Sequence, residues 1–438
     1  MIRRPLAAMA PALLVALMSG CAYPYTPPAL PPIASAAPSP ASQRAAPIEA
    51  RAPVTILVSI DGFRADYLTR GVTPHLSRLA ATGASGAMRP SFPSKTFPNH
   101  WTLVTGVVPD RHGIVANNFL DPTRPGERFT NASDQPYWWN AAEPIWVTAE
   151  KAGIPTATMF WPGSNIAWGG KGQSGWNHEV EGGIRPHDWE QFNGAVSDRQ
   201  RVDTIIDWLR RPAATRPRFM TLYFDEVDAA GHDGGPDSPQ VDTAIRAVDV
   251  AIGRLVDGLA TLGQPANLVI VSDHGMAAIS SDRVIALDHL ADPADYQVIE
   301  EGPFAAIQAV PGHEAALERR LLGHHDHVDC WRKSEIPARF HYGRNPRIAP
   351  YFCLADPGWL IKAKPSEKPF TGGTHGYDNA APSMAAIFIA NGPAIRPGVR
   401  LAPFDNVAVA PMLRDLIGLP PGQGLDGTDA PLRRALKR

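Results

Sequence analysis

The sequence has almost no excess of charge of either sign: 41 Lys and Arg stand against 43 Asp and Glu, a formal net charge of -2 over 438 residues. A surface built to displace phosphate counterions from nucleic acid needs a basic excess, so no nucleic-acid-binding surface is expected. Cysteine is scarce, with three residues in all. If Cys21 belongs to an export signal, Cys330 and Cys353 remain, either as one disulfide in an oxidising compartment or as two buried thiols. Spanning segments are not evident either: the N-terminal apolar run from Leu13 to Met18 falls well short of the roughly 20 residues a membrane-crossing helix requires. Internal repeats are absent.

What is present divides the chain into three parts. Arg3 and Arg4, the apolar run, and the small residues Ser19 and Gly20 before Cys21 compose a signal peptide over residues 1–21, with Cys21 placed where a bacterial lipoprotein is cleaved and acylated. The expected location is therefore outside the cytoplasm, in the periplasm or anchored to the outer membrane. Residues 22–53 are mostly Ala, Pro and Ser, a composition that buries too little apolar surface to order itself, and read as a tether. Residues 54–438 carry the core; the whole sequence is 44% hydrophobic and 19% charged, within the range of a globular protein.

Four short apolar runs, Val54–Ile60, Phe219–Phe224, Asn267–Ser272 and Ala385–Ala390, have the character of strands buried on both faces of a parallel sheet. Helical patterns over Thr73–Ala81, Val202–Arg210 and Gln240–Leu262 lie among them, which predicts a doubly wound α/β sheet with helices on both faces. Three runs lead directly into acids: Asp61, the Asp225 to Asp228 stretch, and Asp273-His274. Ligands of such sheets gather at the carboxyl ends of the strands. From about 282 to 370 the alternation breaks, and this segment is expected to be an insertion or cap near the mouth of the site.

Asp228 and His232 stand four apart, a spacing that puts two ligands on one helical face or in one tight turn. Asp273-His274-Gly275 places an acid and an imidazole together at a buried strand end, a costly arrangement unless a cation compensates it. Asp61-Gly62 repeats the strand-acid-glycine pattern, and His375 sits between Gly373-Thr374 and Gly376. Asp228 and His232 could instead be a surface pair, Asp61 or Asp273 could cap a helix, and His375 could make a turn contact; the set together points to metal. His324, His325 and His327, beside Asp326 and Asp329, read as a solvated loop.

The segment Pro93-Ser94-Lys95-Thr96-Phe97-Pro98-Asn99-His100, with His112-Gly113-Ile114-Val115-Ala116-Asn117-Asn118, Phe160-Trp161-Pro162-Gly163-Ser164, the Asp228 to His232 motif, Ser272-Asp273-His274-Gly275 and Gly373 to Asn379, resembles the nucleotide pyrophosphatase/phosphodiesterases of the alkaline phosphatase superfamily. The resemblance implies that superfamily's fold and hydrolysis of nucleotide phosphodiester or pyrophosphate bonds through a phospho-threonine at Thr96. It implies two zinc ions, one held by Asp61, Asp273 and His274 and touching Thr96, the other by Asp228, His232 and His375. Asn117 and the Thr96 N–H would stabilise a non-bridging oxygen. Phe97 matches one wall of a nucleobase slot and Phe192 the position of the other, where better-known members carry tyrosine; Trp161 and Tyr223 also fall at pocket positions. Asn165 stands where the family often has aspartate. A phosphate monoesterase of the superfamily would carry a Lys-x-Arg pair where Trp161-Pro162-Gly163 stand here, which favours diesters. A choline phosphodiesterase relative is a second alternative, and an exported binding protein without catalysis a third, which the presence of Thr96 and every implied ligand disfavours. Cysteine-rich and nuclease-like modules of the larger animal relatives are not found in this sequence.

Overall fold

The computed structural model describes residues 50–172, 180–364 and 368–437, so the expected signal peptide, Cys21 and residues 22–49 of the tether lie outside the described residues. Among the described residues, no helix is long and apolar enough to cross a membrane. Nine strands form the main sheet: β1 Val54–Ile60, β2 Ala84–Arg89, β3 Thr156–Met159, β4 Asp188–Trp189, β5 Phe219–Phe224, β6 Ala266–Val271, β7 Ala386–Asn391, β8 Val399–Arg400 and β9 Phe404–Asp405. Their order is β8-β2-β7-β6-β1-β5-β3-β4, with β9 also on β2.

The centre of the sheet is parallel, as the apolar runs predict: β1 lies between β5 and β6 in parallel register, with Ile60 beside Phe224 and Ser59 beside Val271. That register brings Asp61, Asp225 and Asp273 to one edge. The run near Ala385 departs from the expectation. β7 pairs antiparallel with both β6 and β2, so the sheet is mixed. A buried apolar run records that both faces are covered and not which way the strand points.

Helices cover both faces. Along β1, Ile56, Val58 and Ile60 join one core with α1 (Pro74–Thr82), α3 (Asp198–Leu209) and α5 (Pro239–Thr261). Leu57 points the other way, into a core with α2 (Thr96–Thr105) and α6 (Val409–Ile417), as the period of two in a strand demands. α5 shows why these segments are helical. Val241, Ile245, Val248, Ile252, Leu255 and Leu259 are buried at steps of four and three, and Ser238 accepts from the Val241 N–H ahead of Pro239. Each such side chain contributes roughly 1.5–3 kcal/mol by leaving water.

The segment expected to be an insertion has a sheet and core of its own. Strands Tyr296–Glu300, Phe304–Ala309, Tyr351–Ala355, Val328–Arg332 and Gly323–His325 lie antiparallel in that order, with helix Glu314–Leu321 contributing Leu317 and Leu321 to a core that includes Ile307 and Tyr351. Cys330 and Cys353 face one another across two of these strands and form a disulfide. The histidine run is a hairpin rather than a loop: His324 and His325 are in a strand, and His327 at the turn stacks on Trp359. The chain enters and leaves the segment through a two-stranded ribbon, Ala277–Ser280 with Thr371–Thr374, and Phe304, Phe352 and Leu354 of its sheet pack into the main core.

Candidate active site

The site is assembled from the carboxyl edge of β1, β5 and β6, from α2, and from the ribbon. Two clusters hold potential ligand atoms within 4.8 Å of one another: Asp61 with Asp273 and His274, and Asp228 with His274 and His375. His274 belongs to both. Asp228 lies in helix α4 (Glu226–Gly234), which β5 enters at Asp225, and His232 follows one turn later. His232 is the predicted ligand left outside the tight clusters; its Nε2 is 3.4 Å from Asp228 Oδ2, and its ring is 5.1 Å from that of His375. Asp225, three residues before Asp228, instead accepts from Arg201 at 2.7 Å.

Gly62 permits the two clusters to adjoin. Its φ is +67°, and a Cβ there would lie 2.9 Å from Asp228 Cα and 3.0 Å from Asp228 Oδ1. Only a residue without a side chain lets β1 turn so tightly against α4.

Three features fit these residues to metal. Asp61 Oδ1 and Asp228 Oδ1 are buried and have no hydrogen-bond partner, a rare and costly state for carboxylate oxygens, and Asp273 Oδ2 is buried with His274 Nε2 at 2.8 Å. The histidines are oriented alike: Nδ1 of His232, His274 and His375 bonds the carbonyls of Gly373, Gly275 and Ser94 at 2.8, 2.9 and 2.8 Å, which leaves each Nε2 as the free lone pair. Those nitrogens lie 3.4 to 3.7 Å from Asp228 and Asp61 oxygens, and that of His274 lies 2.8 Å from Asp273. Ligand atoms about 2.0–2.1 Å from a tetrahedral zinc stand ~3.3 Å apart.

The charges agree. Burial, with repulsion from Asp273 and Asp228, pushes Asp61 well above the usual carboxylate range, and burial raises Asp228 as well. Burial would lift Asp273 too, but His274 and His100 beside it hold it low. His274 is raised despite its burial because Asp273 faces it, whereas burial and the neighbouring His274 keep His375 neutral. Three carboxylates thus meet in one buried site, where divalent cations would balance their charge.

Thr96 is the first residue of α2, and its hydroxyl lies 3.2 Å from His274 Nε2, the atom common to both clusters. As a first-turn residue its N–H has no partner within the helix. The Phe97 N–H donates to Asn117 Oδ1 at 3.0 Å, which orients that amide and leaves its nitrogen for another acceptor. His100, one turn on, bonds the Thr96 carbonyl and Ser59, tying the start of α2 to β1.

A cavity of about 550 Å³ is lined by Asp61, Thr96 and Asp228 together with the rings of Phe97, Trp161, Phe192 and Tyr223. The four aromatic residues differ in role. Phe97 is half-buried, and Phe192 is 52% exposed, its ring beside Phe160 and Tyr223. Trp161 is buried and its indole N–H donates to the His100 carbonyl, while the Tyr223 hydroxyl donates to Asp61 Oδ2 at 2.7 Å. Tyr223 thus holds a carboxylate of the cluster, a role that a pocket position alone does not reveal. Asn165 also lines the cavity. Sequence reasoning passes over Gly62 as a contact to Asp228 and over Arg201; the signal for the second is its place four residues before Ile205 and eight before Leu209, on the buried face of α3.

Comparisons with known proteins agree with this arrangement. The family described as type I phosphodiesterase / nucleotide pyrophosphatase matches residues 55–378. An uncharacterized pyrophosphatase/phosphodiesterase of Schizosaccharomyces pombe is 37% identical over 86% of this chain and 80% of its own length. A bis(5'-adenosyl)-triphosphatase of Xenopus laevis is 37% identical over 87% of this chain and 81% of its own. Mouse ectonucleotide pyrophosphatase/phosphodiesterase family member 1 is 36% identical over 90% of this chain, which spans only 44% of that longer protein. Among solved structures, human ectonucleotide pyrophosphatase/phosphodiesterase 5 superposes with a TM-score of 0.81 at 33% identity, covering 88% of this chain and all of that one. An inactive threonine-to-alanine form of the murine protein, in complex with AMP, gives 0.80 at 34% identity, with the same coverage. With its fold, its clustered acids and histidines and its matched length, the chain belongs to the type I phosphodiesterase / nucleotide pyrophosphatase family, within the alkaline phosphatase superfamily.

Proposed function

We propose that this chain hydrolyses phosphodiester and pyrophosphate bonds of nucleotides, releasing nucleoside 5'-monophosphates, with Thr96 as nucleophile at a two-zinc site. The observation that carries the reading is the position of the Thr96 hydroxyl, 3.2 Å from the nitrogen shared by both clusters and in one cavity with Phe97 and Phe192. Asp61, Asp273 and His274 would hold one ion, and Asp228, His232 and His375 the other. Zinc bound there supplies a lowered hydroxyl and water pKa and a counter-charge for the phosphoryl oxygens.

The chain's own residues account for the rest. Thr96 Oγ1 bonds to phosphorus while the bond from phosphorus to the leaving oxygen breaks, and the hydroxyl proton is balanced by protonation of that oxygen. Water then attacks the phospho-threonine, the bond from phosphorus to Thr96 breaks, and the proton shed by the water restores the hydroxyl. The Asn117 amide and the N–H at the start of α2 are free to donate to the oxygen on which charge develops. The names of the relatives support nucleotide substrates: one acts on bis(5'-adenosyl) triphosphate, and one was solved with AMP. The sequence further supports export, with cleavage and lipidation at Cys21 placing the enzyme in the periplasm or on the outer membrane of a bacterium; loss of membrane association in a Cys21→Ser chain tests this.

The decisive experiment measures metal content and turnover together. Two zinc ions per chain, loss of activity on chelation and recovery with zinc are expected, as is faster cleavage of a nucleoside nitrophenyl phosphodiester than of nitrophenyl phosphate. Monoester preference, or activity retained by Thr96→Ala, would overturn the reading.

A further inference from the structure

Arg201 is charged, yet its side chain is only 1% exposed. A buried guanidinium is tolerated where its donors are met and counter-charges are near. Here Nε donates to the Val196 carbonyl at 2.8 Å, and Nη1 donates to the Tyr223 carbonyl at 3.1 Å and to Asp225 Oδ1 at 2.7 Å. Asp198 and Glu226 stand at 3.9 and 3.8 Å. The planar group also faces two rings, its Cζ 5.3 Å from the centre of Phe160 and 5.8 Å from that of Phe192.

These contacts join two parts of the cavity that otherwise meet through the ring contacts of Phe192 with Phe160 and Tyr223. Phe192 belongs to residues 190–196, which form neither helix nor strand. Val196, at the end of that stretch, is held by Arg201 Nε. Tyr223 and Asp225 close β5, and the hydroxyl of Tyr223 reaches the Asp61 carboxylate. One side chain therefore grips the exposed ring, the loop that carries it, and the strand that positions the catalytic acids.

We propose that Arg201 is a positioning residue for base recognition: it fixes Phe192 as a stacking surface at a set distance from the reacting phosphorus, for the purine or pyrimidine ring of a nucleotide. The proposal rests on the nucleotide reading above and adds the residue through which the aromatic surface is held. Arg201 touches no substrate. Lysine keeps its charge but lacks the fork that reaches Val196, Tyr223 and Asp225 at once.

The test compares wild type, Arg201→Lys, Phe192→Ala and the double variant on two substrates, a nucleoside 5'-nitrophenyl phosphate and methyl nitrophenyl phosphate, which has no base. Both single variants are expected to raise KM for the nucleotide about tenfold, the scale of one base-stacking contact. Their kcat should stay within about twofold and their KM for the methyl ester should not change. The double variant should be no worse than Phe192→Ala alone. If Arg201→Lys fails to fold, Asp225→Ala, which takes one acceptor from Nη1 and leaves those at Tyr223 and Val196, is expected to raise nucleotide KM in the same direction by a smaller factor. Equal losses on both substrates, or additive losses in the double variant, would show Arg201 to be general support and overturn the proposal. No effect of Phe192→Ala on nucleotide KM would overturn the base-stacking reading itself.

Discussion

Replacing Gly62 by alanine should damage turnover out of proportion to stability. Two costs arise at this position. The first is backbone: φ of +67° is left-handed, where an L side chain costs roughly 1–2 kcal/mol. The second is a collision, since the new Cβ would lie 2.9 Å from Asp228 Cα and 3.0 Å from its Cβ and Oδ1. Backbone cannot swing aside as a side-chain tip can, so α4 must retreat by about half an ångström to restore ordinary contact near ~3.5 Å. Asp228 moves with it, away from Asp61. Misplacement by about 1 Å can cost about a hundredfold in rate, so kcat is expected to fall by roughly 10- to 100-fold. Gly71 supplies the control: its φ is +75°, but a Cβ added there would meet nothing within 4 Å. Gly71→Ala should lose the same roughly 1–2 kcal/mol of stability and no activity. Melting temperatures and steady-state kinetics of both zinc-loaded variants decide the matter. Equal kcat in the two variants would refute the claim that Gly62 exists to admit Asp228.

Further outcomes follow from the same geometry. Asn117→Ala removes the amide oriented by Phe97 N–H and should lower kcat by about 10²–10³ with little change in KM, measured on a nucleoside nitrophenyl ester. Tyr223→Phe frees Asp61 Oδ2, and the loss of a bond that orients a ligand should weaken metal retention about 10- to 100-fold in a chelator titration. His112 is buried and neutral: burial lowers its pKa to about 3, while Nδ1 accepts from Ile114 N–H and Nε2 faces Thr102 and Pro98. An unfolded chain takes up this proton near the ordinary value of 6.5. The contribution is therefore complete above that pH and is lost as pH falls towards about 3. His112→Gln should flatten the acid limb of melting temperature against pH across that window.

Much of this architecture is legible because strand ends and ligands coincide in the sequence. Asp61, Asp228 and Asp273 each follow an apolar run closely, so the alternating pattern that predicts a parallel sheet also predicts where the acids meet. The helical spacing of Asp228 and His232 is equally plain. Other features depend on contacts across long separations, which no local pattern records. The reversal of β7 is one; the strand is reached from the ribbon and its following loop, and the apolar pattern Ile387, Phe388, Ile389 is the same in either direction. The bond from Tyr223 to Asp61 spans 162 residues, and a tyrosine in a buried strand is explained by packing alone until its hydroxyl is located. Arg201 is hidden for the opposite reason, since a charged residue at a helix start is ordinarily solvated.

The two histidines at the meeting of the clusters tie the inserted segment to catalysis. His274 precedes the outgoing strand of the ribbon, Ala277–Ser280, and His375 follows the returning one, Thr371–Thr374. Between them lies the inserted sheet with its own core. Their rings stack with centroids 3.5 Å apart, so the entry and exit of the insertion converge at the site. Stacking of two imidazoles, one raised in pKa and one lowered, is weak restraint without cations, whereas ions shared among His274, Asp61, Asp228 and His375 would clamp both ends of the ribbon. Chelation should therefore loosen the ribbon well before it loosens the main sheet. Amide hydrogen exchange measured with and without zinc is expected to quicken first at residues 277–280 and 371–374, while β1 and β5 keep their protection until global unfolding. Uniform quickening across β1, β5 and the ribbon would mean that the metals stabilise the whole domain and do not specifically hold the root of the insertion.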